Sequence, residues 1–139
     1  MTETQAIAHI LAACRTVAVV GLSPKPHRDS YEIAQYMQAQ GWRIVPINPA
    51  AQVNEILGET VYPSLVEAAK HVQIDLVDVF RNSADVPPVA DEAITIGAKA
   101  LWLQLGMGHA DAAQKARAAG LLVVQNKCLL VEHRRLRQS

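Results

Sequence analysis

Val17-Ala18-Val19-Val20-Gly21-Leu22-Ser23 is the stretch on which the fold turns. Its first four residues are all apolar and three of them are β-branched. A strand apolar on both faces is what a parallel sheet needs when helices cover it on either side. Gly21 then lets the backbone leave the strand with room for close approach. The residues beyond it, Pro24-Lys25-Pro26-His27-Arg28-Asp29-Ser30-Tyr31, lead into a helical stretch. Working outward, four more runs of the same kind follow. The five strand cores are 17–20, 44–47, 76–80, 101–105 and 121–125, spaced by roughly 20 to 32 residues as successive βαβ units require.

Amphipathic segments fill the gaps and carry their own start and stop signals. Gly41, Gly97 and Gly120 each stand just before a strand, where a left-handed residue ends a helix. Asp29 and Glu32 have the spacing of a capping box for the second helix, with Ile33, Ala34, Met37 and Tyr36 as its inner stripe. Ser83 is expected to cap the fourth helix, with Pro87 and Pro88 in its first turn, and a helix over about 3–13 precedes the first strand. The pattern predicts one α/β domain over 1–139: a single doubly wound, Rossmann-like, parallel five-stranded sheet of expected order 3-2-1-4-5. After Cys128, the basic run Arg134, Arg135 and Arg137 reads either as a short helix or as a frayed, solvated end.

Composition excludes several classes of function. The chain has 139 residues, of which half are hydrophobic and 19% charged, so it has the apolar content to build a core and is not a disordered segment. No apolar run approaches the roughly 20 residues of a membrane-spanning helix. Thirteen Lys and Arg balance thirteen Asp and Glu, which leaves no global field to hold a nucleic acid. A small anion can still be held locally. Cys14 and Cys128 are too few for a disulfide framework and lie in no CxxC, and Cys128 with His133 is not a zinc site. The N-terminal residues Thr2, Glu3, Thr4 and Gln5 lack the Lys or Arg of a signal peptide, so the expected compartment is the cytoplasm.

In an open parallel sheet the ligand crevice lies beyond the carboxyl ends of the strands, where the order reverses; order 3-2-1-4-5 puts it between the first and fourth. The loop after the first strand combines the start of a helix, which favours an anion, with Lys25, His27 and Arg28. Of a GxGxxG dinucleotide fingerprint only Gly21 is present. The second strand ends at Asn48-Pro49, where an NAD-binding domain usually places a carboxylate on the ribose; this opposes NAD and gives NADP no support. The third ends in Phe80-Arg81-Asn82-Ser83, an aromatic face beside a permanent cation. The fourth runs through Trp102-Leu103-Gln104-Leu105-Gly106-Met107-Gly108, whose glycines admit a ligand near the backbone; alternation leaves open whether Trp102 faces the crevice or packs beneath a helix. His109 begins the fifth helix without partners for a catalytic or metal motif, and His9 and His71 fall in helical stretches.

These residues resemble a known family, the small stand-alone CoA-binding proteins with a Rossmann-like domain similar to that of the succinyl-CoA synthetase alpha subunit. The resemblance is carried by VAVVGLS at 17–23, Pro26, Arg28, Ser30, Tyr31, Ile47-Asn48-Pro49, EILGE from Glu55 and Tyr62-Pro63-Ser64-Leu65. It continues through DLVDVFR at 75–81, Val86-Pro87-Pro88, Gly97-Ala98-Lys99 and WLQLG at 102–106. It departs near the C-terminus, where a segment that usually looks like DRCPKIEH is Asn126-Lys127-Cys128-Leu129-Leu130-Val131-Glu132-His133. The resemblance implies coenzyme A as ligand, free or as an acyl-CoA, and binding rather than catalysis. Carried over by position, the candidate cofactor-binding residues are Gly21, Ser23, Arg28, Ser30, Tyr31, Asn48, Pro49, Phe80, Arg81, Gln104 and Gly106. Two alternatives stand beside it: an NAD(P)-dependent oxidoreductase-like domain, and a protein-interaction module stabilised by a nucleotide.

Overall fold

All five expected strands form within two residues of their expected limits. The structure is a computed structural model and describes residues 1–138. In chain order the elements are α1 (Glu3–Ala13), β1 (Thr16–Val20), α2 (Asp29–Ala39), β2 (Arg43–Ile47), a small hairpin of β3 (Glu55–Ile56) and β4 (Glu59–Thr60), and α3 (Leu65–Ala69). Then come β5 (Leu76–Val79), a 3-10 turn (Ser83–Asp85), α4 (Val86–Thr95), β6 (Ala100–Leu103), α5 (Ala110–Ala118), β7 (Leu122–Val124) and α6 (Leu129–Arg137). The main sheet is parallel throughout, with Val19 of β1 level with Pro46 of β2 on one side and Asp78 of β5 on the other.

The order of that sheet is β2-β1-β5-β6-β7, which corrects the expected 3-2-1-4-5 to 2-1-3-4-5 in strand sequence. Helix α3 explains the difference. Its buried Leu65 and Ala68 join the core on the sheet face covered by α4 and α5, whereas α2 shares the opposite face with α1 and α6. A right-handed crossover places its helix on one face when the chain steps one way and on the other face when it steps back. With α3 opposite α2, the chain returns from β2 past β1 and pairs β5 with the free edge of β1. The reversal of order therefore falls between β1 and β5, not between the first and fourth strands.

Two apolar layers result, one on each face. Trp102 belongs to the layer under α1, α2 and α6; it is fully buried and its indole N–H donates to the Lys127 carbonyl at 2.9 Å, so it packs beneath helices. The helix-ending glycines act as expected. At Gly41 (φ +94°) the glycine N–H reaches the Gln38 carbonyl at 3.0 Å and the Trp42 N–H reaches that of Met37 at 3.1 Å, a Schellman pair that recurs at Gly97 and Gly120.

Two local expectations are corrected and one open alternative is decided. Helix α2 has Arg28 as its N-cap with no side-chain cap bond; Asp29 is its first residue, one position too late to close a box with Glu32. Ser83 opens the 3-10 turn instead of capping α4, and its hydroxyl accepts from the Gly108 N–H at 3.3 Å. Pro87 and Pro88 do stand in the first turn of α4. The C-terminal basic run is helix α6 and not a frayed end, because Leu129 and Glu132 on one side of it are buried.

Candidate functional site

The loop after β1 is shaped by a contact with the loop after β5. Gly21 adopts φ +88°, its N–H donates to the Ile47 carbonyl at 2.8 Å, and a Cβ added there would lie 2.5 Å from the Phe80 carbonyl oxygen. The glycine is thus required by the chain itself, because the two strand ends touch at this point. Leu22 is fully buried and anchors the loop, which then folds back on the helix it precedes. The Ser23 N–H donates to the buried Ser30 hydroxyl at 3.0 Å, and the Ser23 hydroxyl accepts from the Lys25 N–H at 3.1 Å.

This fold-back leaves a cleft of about 450 Å³ lined by Gly21, Ser23, His27, Arg28, Asp29, Ser30 and Phe80. The first N–H groups of α2 have no carbonyl of their own helix to reach, so the cleft sits at the positive end of a helix. Among the described residues, Arg28 has no carboxylate within ion-pairing distance. Backbone donors, two hydroxyls and a solvated guanidinium make a site suited to a phosphate or pyrophosphate.

A second cleft of about 260 Å³ shares Asp29 and Phe80 with the first. Its other walls are Glu32 and Ile33 of α2, Gln104 and Leu105 after β6, and Cys128 and Leu130 around the start of α6. Gln104 is buried and its Oε1 accepts from the Leu129 N–H at 3.1 Å, fixing α6 against the sheet end. Leu105, by contrast, is 65% exposed. The two clefts form one course from a polar, cationic end to an apolar one, across the place where the strand order reverses.

Of the sequence candidates, Gly21, Ser23, Arg28, Ser30 and Phe80 meet in the first cleft and Gln104 lines the second. The other five line neither. Tyr31 is half-buried against the core under α2, and Pro49 is exposed. Asn48 braces two loops: its side-chain N–H donates to the Leu22 carbonyl and its Oδ1 accepts from the Ala50 N–H, both at 2.9 Å. The Arg81 side chain runs past Gly21, and its Nε lies 3.6 Å from Asp85 Oδ2. The Gly106 N–H donates to Asn126 Oδ1 at 2.7 Å. His109 caps α5, accepting from the Ala112 N–H through Nδ1 at 3.1 Å.

Sequence reasoning did not assign Asp29, Glu32, Ile33, Leu105, Cys128 or Leu130 to the site. For the first three the signal was available, since they occupy the opening turn of the helix that the anion loop enters. Asp78 went unremarked too. It sits in β5 two residues before Phe80, fully buried, with neither carboxyl oxygen hydrogen-bonded among the described residues. Burial pushes its carboxyl well above the usual carboxylate range.

With this geometry in place, the likenesses to known proteins agree. A family model described as a CoA binding domain matches residues 15–134. Protein YneT of Bacillus subtilis is 37% identical over 127 residues, covering 91% of each chain. A solved structure of a hypothetical protein from Pyrococcus horikoshii OT3 is 35% identical, with a TM-score of 0.89 over 99% of this chain and 93% of that one. Another, from Thermus thermophilus, is 32% identical with a TM-score of 0.89, over 98% of this chain and 99% of the other.

Proposed function

Because the chain belongs to the CoA-binding domain family, we propose that the joined clefts beyond β1 and β5 hold coenzyme A or an acyl-CoA, in a unit spanning 1–139 that acts as a cytoplasmic binding protein without catalysis of its own. The observation that carries this reading is the continuity of an anion-binding loop with an apolar cleft over Phe80. The pyrophosphate lies against Gly21, Ser23, Ser30 and the first turn of α2, with Arg28 as its cation. The pantetheine arm crosses Phe80 and enters the second cleft. Arg81 and Tyr31 flank this path without lining it, and Asn48, Pro49 and Gly106 shape the loops around it.

Binding without chemistry is supported at two of the histidines, while His27 lines the first cleft. His109 serves a helix cap, and the Tyr36 hydroxyl lies 2.9 Å from His133 Nδ1. NAD is disfavoured because the strand that would present a ribose carboxylate ends in Asn48, whose amide already bridges two loops.

Calorimetric titration with CoA and with NAD tests the reading. CoA is expected to saturate the protein and NAD to give no response; saturation by NAD alone would restore the oxidoreductase alternative. Arg28→Ala should weaken CoA by about 1.5 kcal/mol, roughly tenfold, the low end for a charge-assisted bond because Arg28 is exposed. Arg81→Ala should cost less, since Asp85 already offsets its charge.

A further inference from the structure

The second cleft is unlike the first in ways that bear on what a CoA thiol would carry. Its apolar walls are Ile33, Phe80, Leu105 and Leu130, and its charged members are Asp29, which it shares with the first cleft, and Glu32, which it does not. Both charges are negative. Arg28, a permanent cation, lines the first cleft and not the second. Coenzyme A is asymmetric in the matching sense: its 3'-phosphate and pyrophosphate lie at the nucleotide end, and its pantetheine arm is uncharged. The Glu32 carboxylate, with no cation lining the cleft beside it, repels a phosphate and does not repel an amide or a thioester.

From this arrangement we infer that the second cleft selects acyl-CoA thioesters with a short, uncharged, apolar acyl chain and discriminates against acyl groups that end in a carboxylate. The inference rests on the CoA reading above. Leu105 supports it: this leucine is 65% exposed on the wall of the cleft, and an alkyl chain lying between it and Leu130 removes apolar surface from water on both sides. The volume is suitable. At about 260 Å³ the cleft has room for the end of a pantetheine arm with a few carbons attached.

A terminal carboxylate would enter the same space as the Glu32 and Asp29 carboxylates. Both residues are exposed, so each repulsion is screened and amounts to about threefold in affinity. Methylenes act in the opposite direction. Two additional methylenes, half-buried, should tighten binding by about threefold to tenfold.

The test is a set of calorimetric titrations of the full chain with CoA, acetyl-CoA, butyryl-CoA and succinyl-CoA, repeated with Glu32→Gln and Leu105→Ser after circular dichroism confirms that each variant is folded. Expected affinities rise from acetyl to butyryl and fall for succinyl. Glu32→Gln should recover about threefold of the succinyl deficit measured relative to butyryl, and Leu105→Ser should shrink the advantage of butyryl over acetyl. If CoA binds but succinyl-CoA matches butyryl-CoA, or Glu32→Gln leaves the deficit intact, the selectivity is refuted while the CoA reading survives. If none of the four ligands binds, both fail together.

Discussion

Asp78 stands in the central strand β5, level with Val19 of β1 and Trp102 of β6, with both carboxyl oxygens buried and unpaired among the described residues. A carboxylate in that setting is too costly to keep ionised, so burial favours the protonated acid. The sign of the pH effect follows from the raised folded value. The unfolded chain ionises near pH 3.9, and as pH rises from there toward the folded value the native state must hold a proton that the unfolded state has released. Asp78 therefore costs stability increasingly over that window. Asp78→Asn removes the titration, and the stability of the variant relative to the native chain should rise with pH. Replacing the group by an apolar one, Asp78→Leu, should stabilise at neutral pH by about 1–3 kcal/mol, the cost of leaving a buried polar group unsatisfied. Urea unfolding between pH 4 and 8 measures both; parallel curves for Asp78→Asn and the native chain would mean that the carboxyl has partners in solution. Gly21 illustrates the opposite kind of residue. Its φ of +88° and the Phe80 carbonyl 2.5 Å from where its Cβ would lie make any side chain there a structural fault before it is a binding fault.

Helix α6 is the element that closes the site. It forms because Leu129, fully buried, joins the layer shared with α1 and α2, and because the Leu129 N–H is held by Gln104 Oε1. Glu132 lies in its first turn, where a carboxylate suits the helix dipole, and Arg135 Nη1 reaches it at 3.0 Å. Arg134, Arg135 and Arg137 occupy the last turn and are solvated, which suits a helix C-terminus. Burial, with Arg137 and Arg15 nearby, lowers the pKa of His133, whose ring lies edge-on to Tyr36 of α2. Leu129→Ala should cost about 2–5 kcal/mol in denaturant unfolding and weaken CoA as well, since Cys128 and Leu130 on either side of it line the second cleft. A loss below about 1 kcal/mol would place the helix outside the cooperative core.

At the scale of the molecule, what matters is where the strand order reverses. A crevice between β1 and β5 brings Gly21 against Phe80, and the path from the anion loop to the apolar cleft follows from that contact. A ligand that binds only the folded chain at about 100 times its dissociation constant adds roughly 2.7 kcal/mol. In a domain of this size that raises Tm by about 5–15 °C. CoA is expected to produce such a shift, dephospho-CoA a smaller one if a cation holds the 3'-phosphate, and pantetheine almost none if the loop over 21–31 dominates. Thermal scans in saturating ligand decide it, and no shift with millimolar CoA would leave a protein-interaction role ahead.

What the sequence by itself determined was most of what neighbours along the chain govern, the helix-start caps of α2 and α4 excepted. The strands follow from short β-branched runs, three helix ends from glycines that adopt the left-handed turn without a Cβ penalty, and the anion loop from a contiguous segment that leaves β1 and enters α2. That is why Gly21, Ser23, Arg28 and Ser30 could be named together in advance. Tertiary structure decided the rest. The strand order depended on which sheet face the short α3 covers, and five residues carry too little periodicity to reveal a face. The second cleft draws its walls from α2, the end of β6 and the start of α6, segments that meet only after the sheet has formed. That Asn48 braces two loops was likewise decided by packing, which brings its bonding partners Leu22 and Tyr62 to it across a long sequence distance.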